Sequence, residues 1–102
     1  MLILKNLILF SIMLVLISYD LKNPDKDYAP LYEAIKKCGD KWWHYIESVW
    51  LVHTNLSANE CFERLRENLE SDDRCLVVEI TNKKRQGWLP SKAWDWIKTS
   101  DN

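Results

Sequence analysis

An apolar run, Met13–Asp20, ends in a single carboxylate and is followed at once by turn-forming residues at positions 22–25. A short run of Leu, Val and Ile bounded by turn residues is typical of a buried β-strand. Such a strand would place the Asp20 carboxylate at the rim of a sheet, where a metal ion or a substrate can reach it. An Asp that opens a turn by accepting backbone N–H bonds produces the same pattern. The local sequence therefore leaves a chemical role and a turn role open for Asp20.

Length and charge limit the function classes. The chain has 102 residues, which fits one domain, and a net charge of −1 excludes a global positive field for nucleic acid. Contact with phosphates would depend on local basic patches, although short basic runs are also common on solvated surfaces. The candidate residues are Lys36, Lys37 and Lys41 in one patch, and Lys83, Lys84 and Arg85 in the other.

The cysteines bear on the cellular compartment. Cys38, Cys61 and Cys75 form an odd set without paired spacing, which indicates neither a disulfide framework nor a zinc site. Free cysteines of this kind behave as small apolar residues. We therefore expect a reducing, cytoplasmic compartment.

The N-terminal residues 1–12 are apolar apart from Lys5, Asn6 and Ser11. The segment resembles a signal peptide or a short membrane anchor, but no small-x-small cleavage motif follows it. We interpret residues 1–12 as an extension or a misassigned start, and residues 13–98 as the domain. A membrane contact is expected only if residues 1–12 are a real anchor.

The remaining pattern predicts alternating strands and helices. Helical spacing covers residues 27–38, with Asp27 as a cap and Gly39 as a left-handed stop. Aromatic and β-branched residues predict two strands at 42–45 and 48–54. A capping box at residues 57–60 opens a second helix. A strand at 75–81, a basic turn and a final helical turn beginning near residue 90 complete the chain.

This order predicts an α+β fold, a ferredoxin-like βαββαβ sandwich with a short C-terminal Trp-rich appendage. Two helices would cover one face of an antiparallel sheet, with Leu76, Val78 and Ile80 pointing inward. The opposite face would stay open and carry Trp50, Val52 and Val77. Because such an apolar face requires cover, we expect a homodimer that packs through the sheet face.

Three motifs carry a resemblance to a known family. They are residues 15–21 (VLISYDL), residues 43–50 (WHYIESVW), and the closing residues 87–90 (GWLP) with 93–96 (AWDW). In this order they resemble the small CRISPR-associated Cas-two proteins, which accompany the spacer integrase. The Trp-rich second strand and tail are more similar to the free-standing relatives that carry the SinR-family label.

The resemblance implies a site and partners. In the family, an Asp at the position of Asp20 binds a metal together with its symmetry mate across the dimer axis. Some members cleave RNA or DNA with Mg²⁺, whereas others hold double-stranded DNA as an adaptor. We therefore expect a nucleic-acid-binding protein of the Mg²⁺-dependent endonuclease type. The alternative is a non-catalytic dimeric adaptor that binds a protein partner of an integrase or toxin–antitoxin type.

Other polar and aromatic side chains have competing interpretations. His44 and His53 could act as general bases, but strand positions at sheet edges explain them as well. Ser48 could contact a phosphate or simply pack. The Trp residues of the tail could stack on bases, or could hold the tail on the core.

Overall fold

The computed structural model describes residues 12–99; the expectations for residues 1–11 lie outside the described part. The fold is α+β, with a four-stranded antiparallel sheet and three helices. In chain order the elements are β1 (Met13–Asp20), α1 (Ala29–Lys36), β2 (Lys41–Ile46), β3 (Val49–Thr54), α2 (Ala58–Leu65), a 3₁₀ turn (Arg66–Asn68), β4 (Arg74–Glu79) and α3 (Ser91–Lys98).

The strands lie in the order β2-β3-β1-β4, so β1 and β3 are central and β2 and β4 form the edges. Strand β1 pairs antiparallel with both neighbours, with Ile17 opposite Trp50 on β3 and opposite Val77 on β4. The predicted buried strand ending at Asp20 is confirmed. This arrangement is compatible with a small ferredoxin-like fold.

Helices α1 and α2 pack on one face of the sheet. This helical face buries Val15 and Ile17 of β1, and Trp50 and Val52 of β3, all at most 3% exposed. The helices contribute Leu31, Ile35, Cys61 and Leu65. Each side chain of this kind stabilises the fold by about 1.5–3 kcal/mol when it leaves water. The prediction that Trp50, Val52 and Val77 occupy an open face is therefore wrong.

The second face of the sheet is covered in part by α3. Ala93 and Ile97 of this helix pack against Leu14, Trp43 and Leu51. The prediction of a face with no helix on it is wrong for this part of the sheet. The C-terminal helix therefore supplies part of the cover that this face requires.

Strand β4 presents the opposite alternation from the predicted one. Cys75 and Val77 pack toward the helical face, whereas Leu76 is 63% and Val78 38% exposed on the second face. Ile80 packs in the cluster under α3. Each set of alternate residues in this strand contains two apolar side chains and one charged side chain, so the period of two could not distinguish the faces.

The β2–β3 hairpin turns one residue later than predicted, at Glu47 and Ser48. Strand β2 extends from Lys41 to Ile46, and its pairing with β3 shifts register between Trp43 and Ile46. Such an irregularity bends an edge strand and changes where its side chains point.

Helix α1 begins and ends inside the predicted range. Asp27 accepts a hydrogen bond from the Ala29 N–H at 2.9 Å, although the residue at the cap position is Tyr28. The left-handed role of Gly39 is wrong, because no described glycine has a positive φ. Gly39 lies against β3 instead: a Cβ there would overlap the His53 carbonyl oxygen and lie 2.8 Å from Val52 Cγ1.

The capping box of α2 is confirmed. Ser57 Oγ accepts from the Glu60 N–H at 3.1 Å, and a Glu60 carboxylate oxygen accepts from the Ser57 N–H at 3.0 Å. The helix ends at Leu65, and the 3₁₀ turn follows directly.

Within residues 12–99, no helix has the length and apolar character that crossing a bilayer requires.

We predict that Gly39→Ala lowers the free energy of unfolding by about 1–3 kcal/mol, because the added methyl group overpacks against the β3 backbone. Urea denaturation followed by circular dichroism measures this loss. Gly87→Ala is the matched control, since a Cβ there would meet only the Trp94 ring at 3.9 Å. Equal destabilisation by the two substitutions would contradict the proposed packing role of Gly39.

Candidate functional site

Asp20 lies at the end of the central strand β1, opposite Arg74 of β4 in the sheet register. Its side chain is 64% exposed, and its carboxylate forms an ion pair with Lys22 Nζ at 2.6 Å. The carboxylate is therefore accessible at the sheet rim, as predicted, and it already has one cationic neighbour.

A cavity of about 360 Å³, here named the rim cavity, opens beside Asp20. Its volume lies within the range of small-molecule sites in proteins. Besides Asp20 it is lined by Tyr19, Leu21, Asn23, Pro24, Tyr28, Tyr32, Glu47 and Ser48. The structure thus brings Asp20 together with Ser48, which the sequence singled out, and with a second carboxylate, Glu47.

Tyr19 holds the β2–β3 turn at the rim cavity. Its N–H donates to the Ser48 carbonyl oxygen at 3.1 Å, and its hydroxyl donates to the Glu47 carbonyl oxygen at 3.2 Å. The same hydroxyl accepts from Trp50 Nε1 at 3.0 Å. Burial raises the pKa of the Tyr19 phenol, so the hydroxyl keeps the proton that it donates.

Asp73 fixes the loop that follows Asp20, which forms the other wall of the rim cavity. Its carboxylate accepts from the Lys22 N–H at 2.8 Å and from the Glu70 N–H at 2.8 Å. It also accepts from the Tyr28 hydroxyl at 2.8 and 3.0 Å. The residue is 8% exposed. The loop after α2 and the loop after β1 are therefore joined by one buried carboxylate.

The pKa of Asp73 reflects two opposing effects. Burial alone would raise it, but the N–H donors of Lys22 and Glu70 and the hydroxyl of Tyr28 stabilise the anion more strongly. The net pKa lies below its ordinary value of 3.8. Asp73 is therefore an anion that organises the site.

Sequence reasoning missed Asp73 and Glu47. Both residues lie in connecting segments that the pattern identified only as turns. Asp73 sits beside Ser71 and Asp72 in a polar loop, and nothing in that composition distinguishes the buried carboxylate from its exposed neighbour. The partners of Asp73 are up to 51 positions away in the chain, so no local signal could have identified it.

The first basic patch lies at the start of the β2 edge. Lys36 Nζ is 5.0 Å from the centre of the Trp42 ring and 3.2 Å from a Glu33 carboxylate oxygen. Lys37 and Lys41 are exposed. Of the three lysines predicted to contact phosphates, Lys36 therefore lies beside an aromatic side chain that is 44% exposed.

The second basic patch follows β4, the opposite edge strand, so the two patches are not brought together. Lys83 and Lys84 are exposed, whereas Arg85 is half-buried. Arg85 Nη2 donates to the Ile80 carbonyl oxygen at 2.7 Å. This contact stabilises the turn after β4 and gives Arg85 a structural role.

Neither histidine lines the rim cavity. The His44 ring stacks on Trp50 with centroids 3.8 Å apart, and its Nε2 lies 2.8 Å from the Glu47 carbonyl oxygen. His53 is buried under α3 and stacks on Trp96 at 3.9 Å. Burial and the nearby Lys41 ammonium lower the pKa of His53, which keeps its ring neutral at neutral pH.

Two carboxylate side chains, those of Asp20 and Glu47, line the rim cavity. Mg²⁺ is commonly held by one or two carboxylates together with water and phosphate oxygens. Asp20 and Glu47 could supply carboxylates here. Among residues 12–99, no group of three or more His, Cys, Asp or Glu side chains is arranged around a common metal position.

Comparison of the chain with protein-family models, with curated proteins and with solved structures gives no significant match.

We predict that Asp73→Ala lowers the free energy of unfolding by about 1–3 kcal/mol, because two backbone donors and the Tyr28 hydroxyl lose their acceptor. Asp72→Ala is the matched control. Asp72 is exposed and accepts one hydrogen bond, from Asn23 Nδ2 at 2.9 Å. Urea denaturation measures the free energy of unfolding of both variants. An equal loss in the two would show that the buried Asp73 carboxylate stabilises the fold no more than the exposed Asp72 carboxylate does.

The low pKa of Asp73 also predicts a pH dependence. A carboxyl whose pKa is lower in the folded state stabilises the fold above its unfolded pKa, and this contribution disappears as the pH falls through the folded value. The wild-type protein should therefore lose stability below about pH 4, and Asp73→Ala should lose less over the same interval. Parallel pH dependences of the two unfolding free energies would contradict this assignment.

Proposed function

We propose that this protein is a ferredoxin-like, Cas-two-like nucleic-acid-binding protein that acts as a homodimer in the cytoplasm. The order of elements, β-α-β-β-α-β, and the strand order β2-β3-β1-β4 support this proposal. So does the position of Asp20 at the end of the first central strand, where the resemblance expects a carboxylate. The α3 helix corresponds to the Trp-rich appendage.

The proposed dimer uses the part of the second sheet face that α3 leaves uncovered. Leu76 and Val78 are exposed there, and exposed apolar side chains on a sheet favour association. Because side chains alternate along a strand, Asp20 belongs to the same face as Leu14 and Leu16. Face-to-face packing of two subunits would therefore bring two Asp20 carboxylates toward each other.

We assign Asp20 as a metal-binding and catalytic residue within this dimer. Two carboxylates about 5 Å apart repel each other by about 3 kcal/mol at an effective dielectric near 20, and a divalent cation relieves this repulsion. Bound Mg²⁺ would polarise a phosphate of RNA or double-stranded DNA for hydrolysis. The single observation that carries the assignment is the exposed Asp20 carboxylate at the mouth of the rim cavity.

A second candidate function is a non-catalytic adaptor or toxin–antitoxin-type interaction module. The ion pair of Asp20 with Lys22 at 2.6 Å favours it, because an ammonium at this distance neutralises the carboxylate that a metal would need. In that case Asp20 orders the loop after β1, and the basic patches alone contact nucleic acid.

We predict that the full-length protein cleaves labelled RNA or double-stranded DNA in Mg²⁺ but not in excess chelator, and that Asp20→Asn lowers the rate at least about 100-fold. Asp25→Asn is the control, because Asp25 is exposed in the same loop and does not line the rim cavity. Both variants are checked for folding and for dimer mass.

The outcomes separate the two functions. Cleavage that survives in Asp20→Asn would refute the catalytic role of this residue. A folded dimer that binds nucleic acid without cleaving it would establish the adaptor. A monomer that binds neither RNA nor DNA would overturn the whole proposal.

A further inference from the structure

A second cavity lies where the edge strand β2 meets α3; we name it the edge cavity. Its volume is about 450 Å³, which is within the range of sites that hold small ligands. Six of its lining residues are aromatic or cationic, namely Trp42, Trp43, His44, Tyr45, Trp96 and Lys92. None of these side chains belongs to the rim cavity.

Tyr45 presents an uncovered aromatic ring at the edge cavity. Tyr45 is 74% exposed, and its ring centroid lies 4.8 Å from that of Trp43 at an interplanar angle of 50°. Trp96 is held in place by stacking on His53 at 3.9 Å and 11°. An exposed ring supported by fixed neighbours is a surface on which a planar ligand can stack.

Trp43 forms a buried part of the wall of the edge cavity. The residue is 6% exposed, and its Nε1 is buried with no acceptor among residues 12–99. An indole N–H can only donate, and a buried donor without an acceptor is unfavourable. Because solvent does not reach this nitrogen, a ligand in the edge cavity would contact the Trp43 ring and not its N–H.

The charge at the edge cavity favours an anion. Lys92 belongs to the lining, and among the described residues that line the cavity none carries a carboxylate. Because side chains alternate along a strand, Lys41 of β2 lies on the same face of the sheet as Trp43 and Tyr45. It pairs with His53 of β3. Asp95 follows Lys92 by one turn of α3 but does not line the cavity.

We propose that the edge cavity is a subsite for one unpaired nucleotide, with the base stacked on Tyr45 beside the Trp43 ring and a phosphate near Lys92. This inference rests on the proposed nucleic-acid-binding function and specifies where the nucleic acid contacts the protein. A base within a duplex is covered by its neighbours, so the subsite requires an unpaired base. The nucleic acid that the protein prefers therefore contains a single-stranded segment.

The first test uses adenosine 5′-monophosphate as the probe and the six indole N–H resonances of the full-length protein as the readout. We expect a saturable shift of the Trp43 resonance, and little change at Trp88, which is fully exposed. Adenosine should bind about tenfold more weakly, because it lacks the charged group that pairs with Lys92. Inorganic phosphate alone should not shift Trp43.

Variants separate stacking from charge. Tyr45→Ala should weaken binding of the mononucleotide about tenfold, whereas Tyr45→Phe, which retains the ring, should bind normally. Lys92→Gln should weaken it as well. Lys98→Gln is the matched control, because Lys98 is an exposed lysine on the same helix that does not line the edge cavity.

The results that overturn the inference differ from those that overturn the proposed function. No saturable shift of Trp43, or equal losses in Lys92→Gln and Lys98→Gln, refutes the nucleotide subsite even if RNA or DNA still binds. Binding of a single-stranded oligonucleotide that is unchanged in Tyr45→Ala also refutes it. Saturable mononucleotide binding without any binding of RNA or DNA refutes the proposed function and leaves a free-nucleotide site.

Discussion

Burial of the two central strands on both faces is the constraint on which the rest of the structure depends. Strand β1 places Val15 and Ile17 under α1 and α2, and Leu14 under α3. Strand β3 does the same with Val52 on one face and Leu51 on the other. Antiparallel sheets commonly leave one face in water, but this one cannot, because both faces of its centre are apolar. The C-terminal helix must therefore dock on the sheet.

The rim cavity exists because two distant segments are held against the end of β1. Asp73 joins the loop after α2 to the loop after β1, and Tyr19 joins β1 to the β2–β3 turn. Without these contacts Asp20 would be one carboxylate among many on the surface. With them, it shares a cavity with Glu47 and Ser48, whose position the turn determines.

The β2–β3 hairpin connects the two candidate sites. Tyr45 lines the edge cavity, while Glu47 and Ser48, a few residues later, line the rim cavity. Edge strands with exposed apolar residues are prone to unwanted pairing, and proteins usually blunt them. In β2, the register irregularity between Trp43 and Ile46 and the charge of Lys41 disfavour pairing with another strand. The aromatic side chains of the edge cavity remain accessible. Under the proposed function, a nucleic-acid strand that follows this hairpin would contact both cavities.

The sequence by itself determined the elements whose signals are local. The apolar run before Asp20, the capping box at Ser57 and the aromatic hairpin each depend on neighbours within a few positions, and the structure confirms all three elements. Only the tertiary structure decided which faces are covered. In β4 the two alternate sets have the same balance of apolar and charged residues, so the side that contains Val77 depends on where α1 and α2 pack. The tertiary structure also decided the roles of Asp73 and Gly39, because burial and close backbone approach arise only when segments distant in the chain meet.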